Sequence, residues 1–174
     1  KMRTCWCVPR YVVEGHASEV SKDFAWISIQ EEDHPKTNEF HPHSKNEFLD
    51  KLNTLKLKFS DVEQPVRLPS QHEYIPDRWY KPPNKRQAKQ IVDFILANSD
   101  KNIIVNCAAG ISRSGAICQF LEEHRGYKWD AFCKGNADPN VTLYKLLVDY
   151  YNTTKEKSCS QNPQTTTQII LPQS

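Results

Sequence analysis

The chain has 174 residues, of which 38% are hydrophobic, 25% are charged and 10% are aromatic, and its formal net charge is +2. This length suits one domain with its own core, and the composition is too apolar for a disordered chain. No stretch reaches the roughly 18 consecutive apolar residues of a membrane-spanning helix, so we expect no membrane partner. The small net charge gives no support of its own for a nucleic-acid partner.

The chain contains six cysteines, which in a small secreted domain would indicate a disulfide framework. A chain of this length forms a core without cross-links, and its first residues lack the apolar run of a secretory signal. We therefore expect reduced cysteines and a cytoplasmic location.

Strands come first in chain order. Aromatic and β-branched residues predict strands over 6–13 and 24–29, and a polar, proline-broken loop follows over 30–46. Apolar residues alternate with lysines over 54–59, which predicts a half-exposed strand. The prolines of 60–83 then predict a long connection, of a kind that is more often functional than idle.

Helices and strands alternate in the second half. Apolar residues at helical spacing predict a helix over 84–97, and the apolar run 102–106 predicts a buried strand. A further helix is predicted to end near Gly126. Asp138 as N-cap and the proline after it predict a last helix that ends at about Tyr151. This alternation favours an α/β fold.

The segment with the clearest chemistry joins the buried strand to the next helix and reads Asn-Cys-Ala-Ala-Gly-Ile-Ser-Arg-Ser-Gly over 106–115. A tight loop at a helix N-terminus directs several backbone N–H groups at one point, where the helix dipole also favours negative charge. Gly110 permits a positive φ, and the guanidinium of Arg113 matches two phosphate oxygens. The same positive field favours the thiolate of Cys107, which is the nucleophilic form. The sequence therefore predicts attack on a phosphate ester.

The spacing Cys107-x5-Arg113-Ser114 between a strand and a helix resembles the signature loop of the cysteine-dependent protein tyrosine phosphatases. The residues of this loop are most similar to those of the dual-specificity-like branch, and the resemblance extends over about 70–150. It implies a three-layer α/β fold with a central, mostly parallel sheet flanked by helices. We expect a single phosphatase-like domain over 1–155 with a proline-rich insertion at about 64–83, followed by a polar C-terminal tail over 156–174.

The resemblance also implies a reaction, the hydrolysis of phosphate monoesters through a phosphocysteine on Cys107. Ser114 would help the thiolate to leave in the second step. No metal and no cofactor is implied, and the expected partner is a protein phosphorylated on tyrosine or on serine and threonine. Phosphate, sulfate or vanadate is expected to bind in the loop. The equatorial oxygens would be held by the side chain of Arg113 and the backbone N–H groups of Ala108, Ala109, Gly110, Ile111, Ser112 and Arg113.

The general acid in this family is an aspartate at the end of an upstream strand. Asp61 follows the strand predicted over 54–59 and so matches the family's aspartate in residue type and in its place at a strand end. Glu63 and Asp77 are the alternatives. One residue departs from the family pattern. The histidine that normally precedes the nucleophile is replaced by Asn106, whose side chain forms hydrogen bonds but carries neither a ring nor a charge.

Other functions stay open at this point. Basic and aromatic residues over 73–86 suit a phosphatase of 5′-phosphorylated RNA or of phosphoinositides. A rhodanese-like or arsenate-reductase-like thiol enzyme is a second alternative, and a non-catalytic phosphate-binding module, suggested by Asn106, is a third. Cys118 is interpreted as a core residue, with a resolving role for oxidised Cys107 as the alternative. The histidines of 34–43 and the Cys5-x-Cys7 pair lack the second cluster of a metal site.

Overall fold

The computed structural model describes residues 2–16, 21–30, 53–68 and 78–160. Strands and helices alternate along these residues. The strands are β1 (Thr4–Pro9), β2 (Phe24–Gln30), β3 (Asn53–Lys58), β4 (Val66–Leu68), β5 (Arg78–Tyr80), β6 (Asn102–Cys107) and β7 (Lys128–Trp129). The helices are α1 (Arg10–Gly15), α2 (Lys85–Ala97), α3 (Arg113–Arg125), α4 (Ala131–Gly135) and α5 (Val141–Ser160).

The central sheet has five strands in the order β3-β2-β6-β1-β7, and every pair of neighbours is parallel. Side chains of β6 alternate between its two faces, as expected for a strand. Ile103 and Val105 pack in a core with residues of α2, α3 and α5, whereas Ile104 packs with Val13 of α1. The α/β fold with a parallel sheet between two helical layers is therefore confirmed.

Parallel strands place their carboxyl ends at one edge of the sheet, where open α/β sheets bind ligands. β6 ends at Cys107, and the segment after β3 begins with Phe59, whose amide donates to the carbonyl of Gln30 at 3.1 Å. The predicted loop after β6 and the segment that contains Asp61 thus emerge at the same edge.

The strand predicted over 6–13 is wrong in its second half, because β1 ends at Pro9 and α1 follows directly. Proline has no amide hydrogen for the sheet, and its fixed φ, here −61°, suits the start of a helix. The connection predicted over 60–83 contains an antiparallel pair, because β4 and β5 lie side by side. The loop predicted over 30–46 lies almost wholly outside the described residues.

The last helix begins later and ends later than predicted, because α5 runs from Val141 to Ser160. Its cap is Asn140, whose Oδ1 accepts from the amide of Leu143 at 2.8 Å, and not Asp138. The amide of Asp138 instead donates to the carbonyl of Ile111, which ties this residue to the loop before α3. The polar tail predicted from residue 156 starts inside α5 and continues outside the described residues. In the described ranges, no helix combines the length and the apolar character needed to cross a membrane.

The helix predicted over 84–97 is confirmed as α2, and a capping box explains where it begins. Asn84 Oδ1 accepts from the amide of Gln87 at 3.0 Å, and Gln87 Oε1 accepts from the amide of Asn84 at 3.0 Å. Apolar side chains at helical spacing then bury one face against the sheet. They are Ala88, Ile91, Val92 and Ile95.

We expect Asn84→Ala to lower the free energy of unfolding by about 1 kcal/mol, because it removes the acceptor for the first turn of α2. Urea denaturation of the full chain measures this change. The exposed α2 substitution Gln90→Ala serves as control and is expected to leave stability nearly unchanged. A stability of Asn84→Ala equal to that of the control would show that the capping box does not stabilise the fold.

Candidate active site

The predicted nucleophile, Cys107, is the last residue of β6 and is 3% exposed. Its Sγ lies 3.2 Å from Oγ of Ser114, a fully buried residue in the first turn of α3. The strand and the helix therefore bring together the two side chains that the sequence assigns to the thiol chemistry. A hydroxyl at this distance can donate to a thiolate and stabilise its charge.

The loop between these residues depends on one close approach. Gly110 has φ +72°, and a Cβ at this position would lie 2.3 Å from the carbonyl carbon of Val8 and 2.4 Å from the nitrogen of Pro9. A residue with a side chain would meet backbone atoms there and would also be strained at this φ. Only glycine lets the loop fold back onto the end of β1 in this way.

The peptide groups of the loop are oriented by the segment that precedes α5. The carbonyl of Ile111 accepts from the amide of Asp138 at 3.3 Å, and that of Ser112 accepts from Asn140 at 3.1 Å and from Ala116 at 2.9 Å. By contrast, the amides of residues 108–112 donate none of the backbone hydrogen bonds between described residues. Backbone N–H groups need a hydrogen-bond acceptor, so the amides of residues 108–112 can donate to an anion.

Arg113 opens α3 and is 2% exposed, so its charge lies below the surface. Its Nη1 donates to the carbonyl oxygen of Phe59 at 2.7 Å. This bond fixes the guanidinium between the loop after β6 and the segment after β3. A buried arginine held in one orientation suits the recognition of an anion with several oxygens.

The predicted acid, Asp61, lies at the same site. Its Oδ1 accepts from Oγ of Ser112 at 2.8 Å and from Nδ2 of Asn140 at 2.9 Å. Both bonds reach the same carboxyl oxygen, Oδ1, so they hold the side chain without using Oδ2. The loop, the segment after β3 and the start of α5 are thus joined through one carboxylate.

These elements surround a pocket of about 610 Å³. Cys107 and Arg113 lie at its buried end, while Asp61, Glu63 and Asp138 are exposed. Its remaining described lining residues are Ala108, Ala109, Ile111, Ser112, Pro139, Asn140 and Val141. The structure therefore brings Cys107, Arg113, Ser114 and Asp61 to one place, with Glu63 nearby, whereas Asp77 lies outside the described residues.

Asn106 precedes the nucleophile, but its side chain belongs to the other face of the sheet. It is fully buried, and its Oδ1 accepts from Nε1 of Trp26 at 2.6 Å. Trp26 packs there with Ile104 and Val13, away from the core that contains Cys107. The hydrogen bond of Asn106 therefore joins β6 to β2 rather than contacting the thiol.

Cys118 is fully buried in α3 and belongs to the same core cluster as Cys5, Cys7 and Cys107. Its carbonyl accepts from Sγ of Cys5 at 3.8 Å, and Cys5 pairs with Ile103 in the sheet. The interpretation of Cys118 as a core residue is therefore confirmed, whereas its resolving role for oxidised Cys107 stays a prediction.

Cys5, Cys7 and Cys133 are also buried and form no disulfide. A hydrogen bond with the thiol of Cys118 lowers the pKa of Cys7 to about 7, against the opposite effect of burial. Burial raises the pKa of Cys133 to about 12. Within the described ranges, no group of three or more His, Cys, Asp or Glu side chains is arranged to hold a metal ion.

Sequence reasoning missed two residues of this site. Asn140 both caps α5 and bonds to Asp61, and Asp138 lines the pocket. The dipeptide Asp138-Pro139 predicts the start of a helix, and with Asp138 as the cap the asparagine after it has no assigned role. An asparagine before an apolar helix was an available signal for a cap, but its bond to Asp61 joins residues 79 positions apart and has no local signature.

Comparisons with known proteins add little. No family model matches the chain. No curated protein matches it either. Among solved structures, one similar chain is described as "Crystal structure of Tk-PTP in the active form". It is 17% identical to this chain, with a TM-score of 0.46, and the match covers 87% of this chain and 93% of the other.

We expect Gly110→Ala to abolish the binding of vanadate or phosphate, because the added methyl group would displace the loop from the end of β1. Isothermal titration calorimetry with vanadate measures the binding. Gly135→Ala is the matched control, because a Cβ there meets no atom within 4 Å. Circular dichroism of both variants separates a displaced loop from an unfolded chain. Unchanged anion binding by Gly110→Ala would contradict the assigned role of this glycine.

Proposed function

We propose that the chain is a phosphatase that hydrolyses phosphate monoesters through a phosphocysteine intermediate, with phosphorylated protein as its substrate. The observation that carries the proposal is the convergence of Cys107, Arg113, Ser114 and Asp61 on one pocket. A nucleophile, a fixed cation and a carboxyl group at one pocket are the parts that cleavage of a phosphate ester needs.

In the first step, Sγ of Cys107 attacks phosphorus, and the bond between phosphorus and the ester oxygen breaks. Arg113 and the amides of residues 108–112 bind the other phosphate oxygens, whose charge is greatest in the transition state. The protonated carboxyl group of Asp61 gives its proton to the leaving oxygen, so the product departs as an alcohol or a phenol.

In the second step, a water molecule attacks phosphorus and gives a proton to the carboxylate of Asp61. The bond between sulfur and phosphorus breaks, and inorganic phosphate is released. Ser114 Oγ, 3.2 Å from Sγ, donates a hydrogen bond to the departing thiolate. Cys107 and Asp61 end the cycle in the protonation states in which they began it, so water is the only reactant besides the phosphate ester.

The charges around the pocket favour a protein substrate over RNA or a phosphoinositide. Asp61, Glu63 and Asp138 are exposed at the pocket, and its only basic residue within the described part of the chain is the buried Arg113. The carboxylates of Glu63 and Asp138 repel a substrate that carries further phosphates beside the reacting one. A protein segment with a single phosphate avoids this repulsion, because its neighbouring residues need carry no negative charge.

We expect the full chain to hydrolyse p-nitrophenyl phosphate in the presence of EDTA between pH 5 and 8. Cys107→Ser should lower kcat by at least about 10³-fold, because a hydroxyl is a far weaker nucleophile than a thiolate. Cys133→Ser, a change at a buried thiol outside the pocket, is the matched control and should keep its activity. Activity that survives in Cys107→Ser would refute the proposal, and vanadate binding without turnover by the unaltered chain would indicate a binding module instead.

A second prediction assigns the acid. Asp61→Asn keeps an oxygen that accepts from Ser112 and Asn140 but cannot give a proton. We expect kcat to fall by about 10²-fold or more for an alkyl phosphate, whose leaving group needs a proton, and much less for p-nitrophenyl phosphate. Glu63→Gln should show no such dependence on the leaving group. The reverse pattern in the two variants would assign the acid role to Glu63.

A further inference from the structure

Two exposed apolar side chains lie at the pocket itself. Ile111 is 40% exposed and Val141 is 57% exposed, and both line the pocket that contains Cys107. The other large apolar side chains that are exposed in the described residues, such as Val66 and Phe132, do not line it. Apolar surface in contact with water is unfavourable, so its position beside a reactive site points to an apolar part of a ligand.

Backbone hydrogen bonds join the segments that carry these two side chains. The carbonyl of Ile111 accepts from Asp138, and the carbonyl of Ser112 accepts from Asn140, the residue directly before Val141. Asn140 is in turn fixed by its bonds to Leu143 and Asp61. Ile111 and Val141 thus line the pocket on two segments that are fixed to each other, and we name this pair of exposed apolar side chains the apolar lip. Side chains on a fixed backbone bind with a smaller loss of conformational entropy.

We propose that the apolar lip binds an aliphatic or aromatic side chain next to the phosphorylated residue of a protein substrate. This inference rests on the proposed function, which it makes more specific. The buried Arg113 takes the phosphate, and the lip takes an apolar neighbour of the phosphorylated residue. The exposed carboxylates of Glu63 and Asp138 disfavour an acidic residue in the same segment. The sugar-phosphate backbone of RNA carries a negative charge at every nucleotide and is repelled by these carboxylates.

The test compares two phosphotyrosine peptides that differ only in the residues on either side of the phosphotyrosine, which are leucines in one and serines in the other. We expect the unaltered chain to favour the leucine peptide roughly tenfold in kcat/KM, as for the burial of a few methylene groups. Ile111→Ser and Val141→Ser should each reduce this ratio towards one. Val66→Ser, which changes an exposed valine outside the pocket, is the matched control and should keep the ratio.

The Cys107→Ser variant provides a second measurement that needs no turnover, because its affinity for the two peptides and for a 5′-phosphorylated RNA is measured directly. A leucine preference that is lost in Val141→Ser, combined with no hydrolysis by the unaltered chain, would support the lip and refute the hydrolase. Hydrolysis that depends on Cys107 but makes no distinction between the peptides would refute the lip alone. Tighter binding of the RNA than of the leucine peptide would also refute the lip.

Discussion

The close approach of Gly110 to the end of β1 is the constraint on which the site depends. Because no Cβ fits between this residue and the backbone of Val8 and Pro9, the loop after β6 can lie directly against the neighbouring strand. From there the carbonyls of Ile111 and Ser112 meet the segment before α5. The amides of residues 108–112 are left as donors, so the anion site that we propose depends on backbone geometry more than on side chains.

The second constraint is the bonding of Asn140. One side-chain oxygen caps α5, and the side-chain nitrogen holds Asp61, which also accepts from Ser112. The position of the carboxyl group is therefore coupled to the start of a helix that packs on α2 and α3. A carboxyl group held this way is fixed at the pocket before any substrate binds, which would reduce the reorganisation that the proposed reaction requires.

Much of this arrangement follows from local patterns. Four strands of the central sheet are predicted by their apolar patterns, whereas the two-residue β7 has no such pattern and is not predicted. The loop with Cys107 and Arg113 is predicted because glycine, arginine and serine follow a buried strand in register. The turn from strand to helix at Pro9 was missed, because tyrosine and valine in residues 11–13 fit a strand as well as a helix. The bond between Asn140 and Asp61 could not be predicted, because it depends on where two distant segments meet in the fold.

Asn106 has a structural role in this fold. The side chain points to the face of the sheet opposite Cys107 and forms a short bond with Trp26, 80 residues earlier in the chain. An asparagine oxygen there satisfies a buried indole N–H, which would otherwise lose its hydrogen bond to water. The groups that can attract an anion at this pocket are Arg113, the loop amides and the start of α3, and none of them requires a histidine at position 106. Asn106 is therefore compatible with the proposed chemistry and is not by itself evidence for an inactive protein.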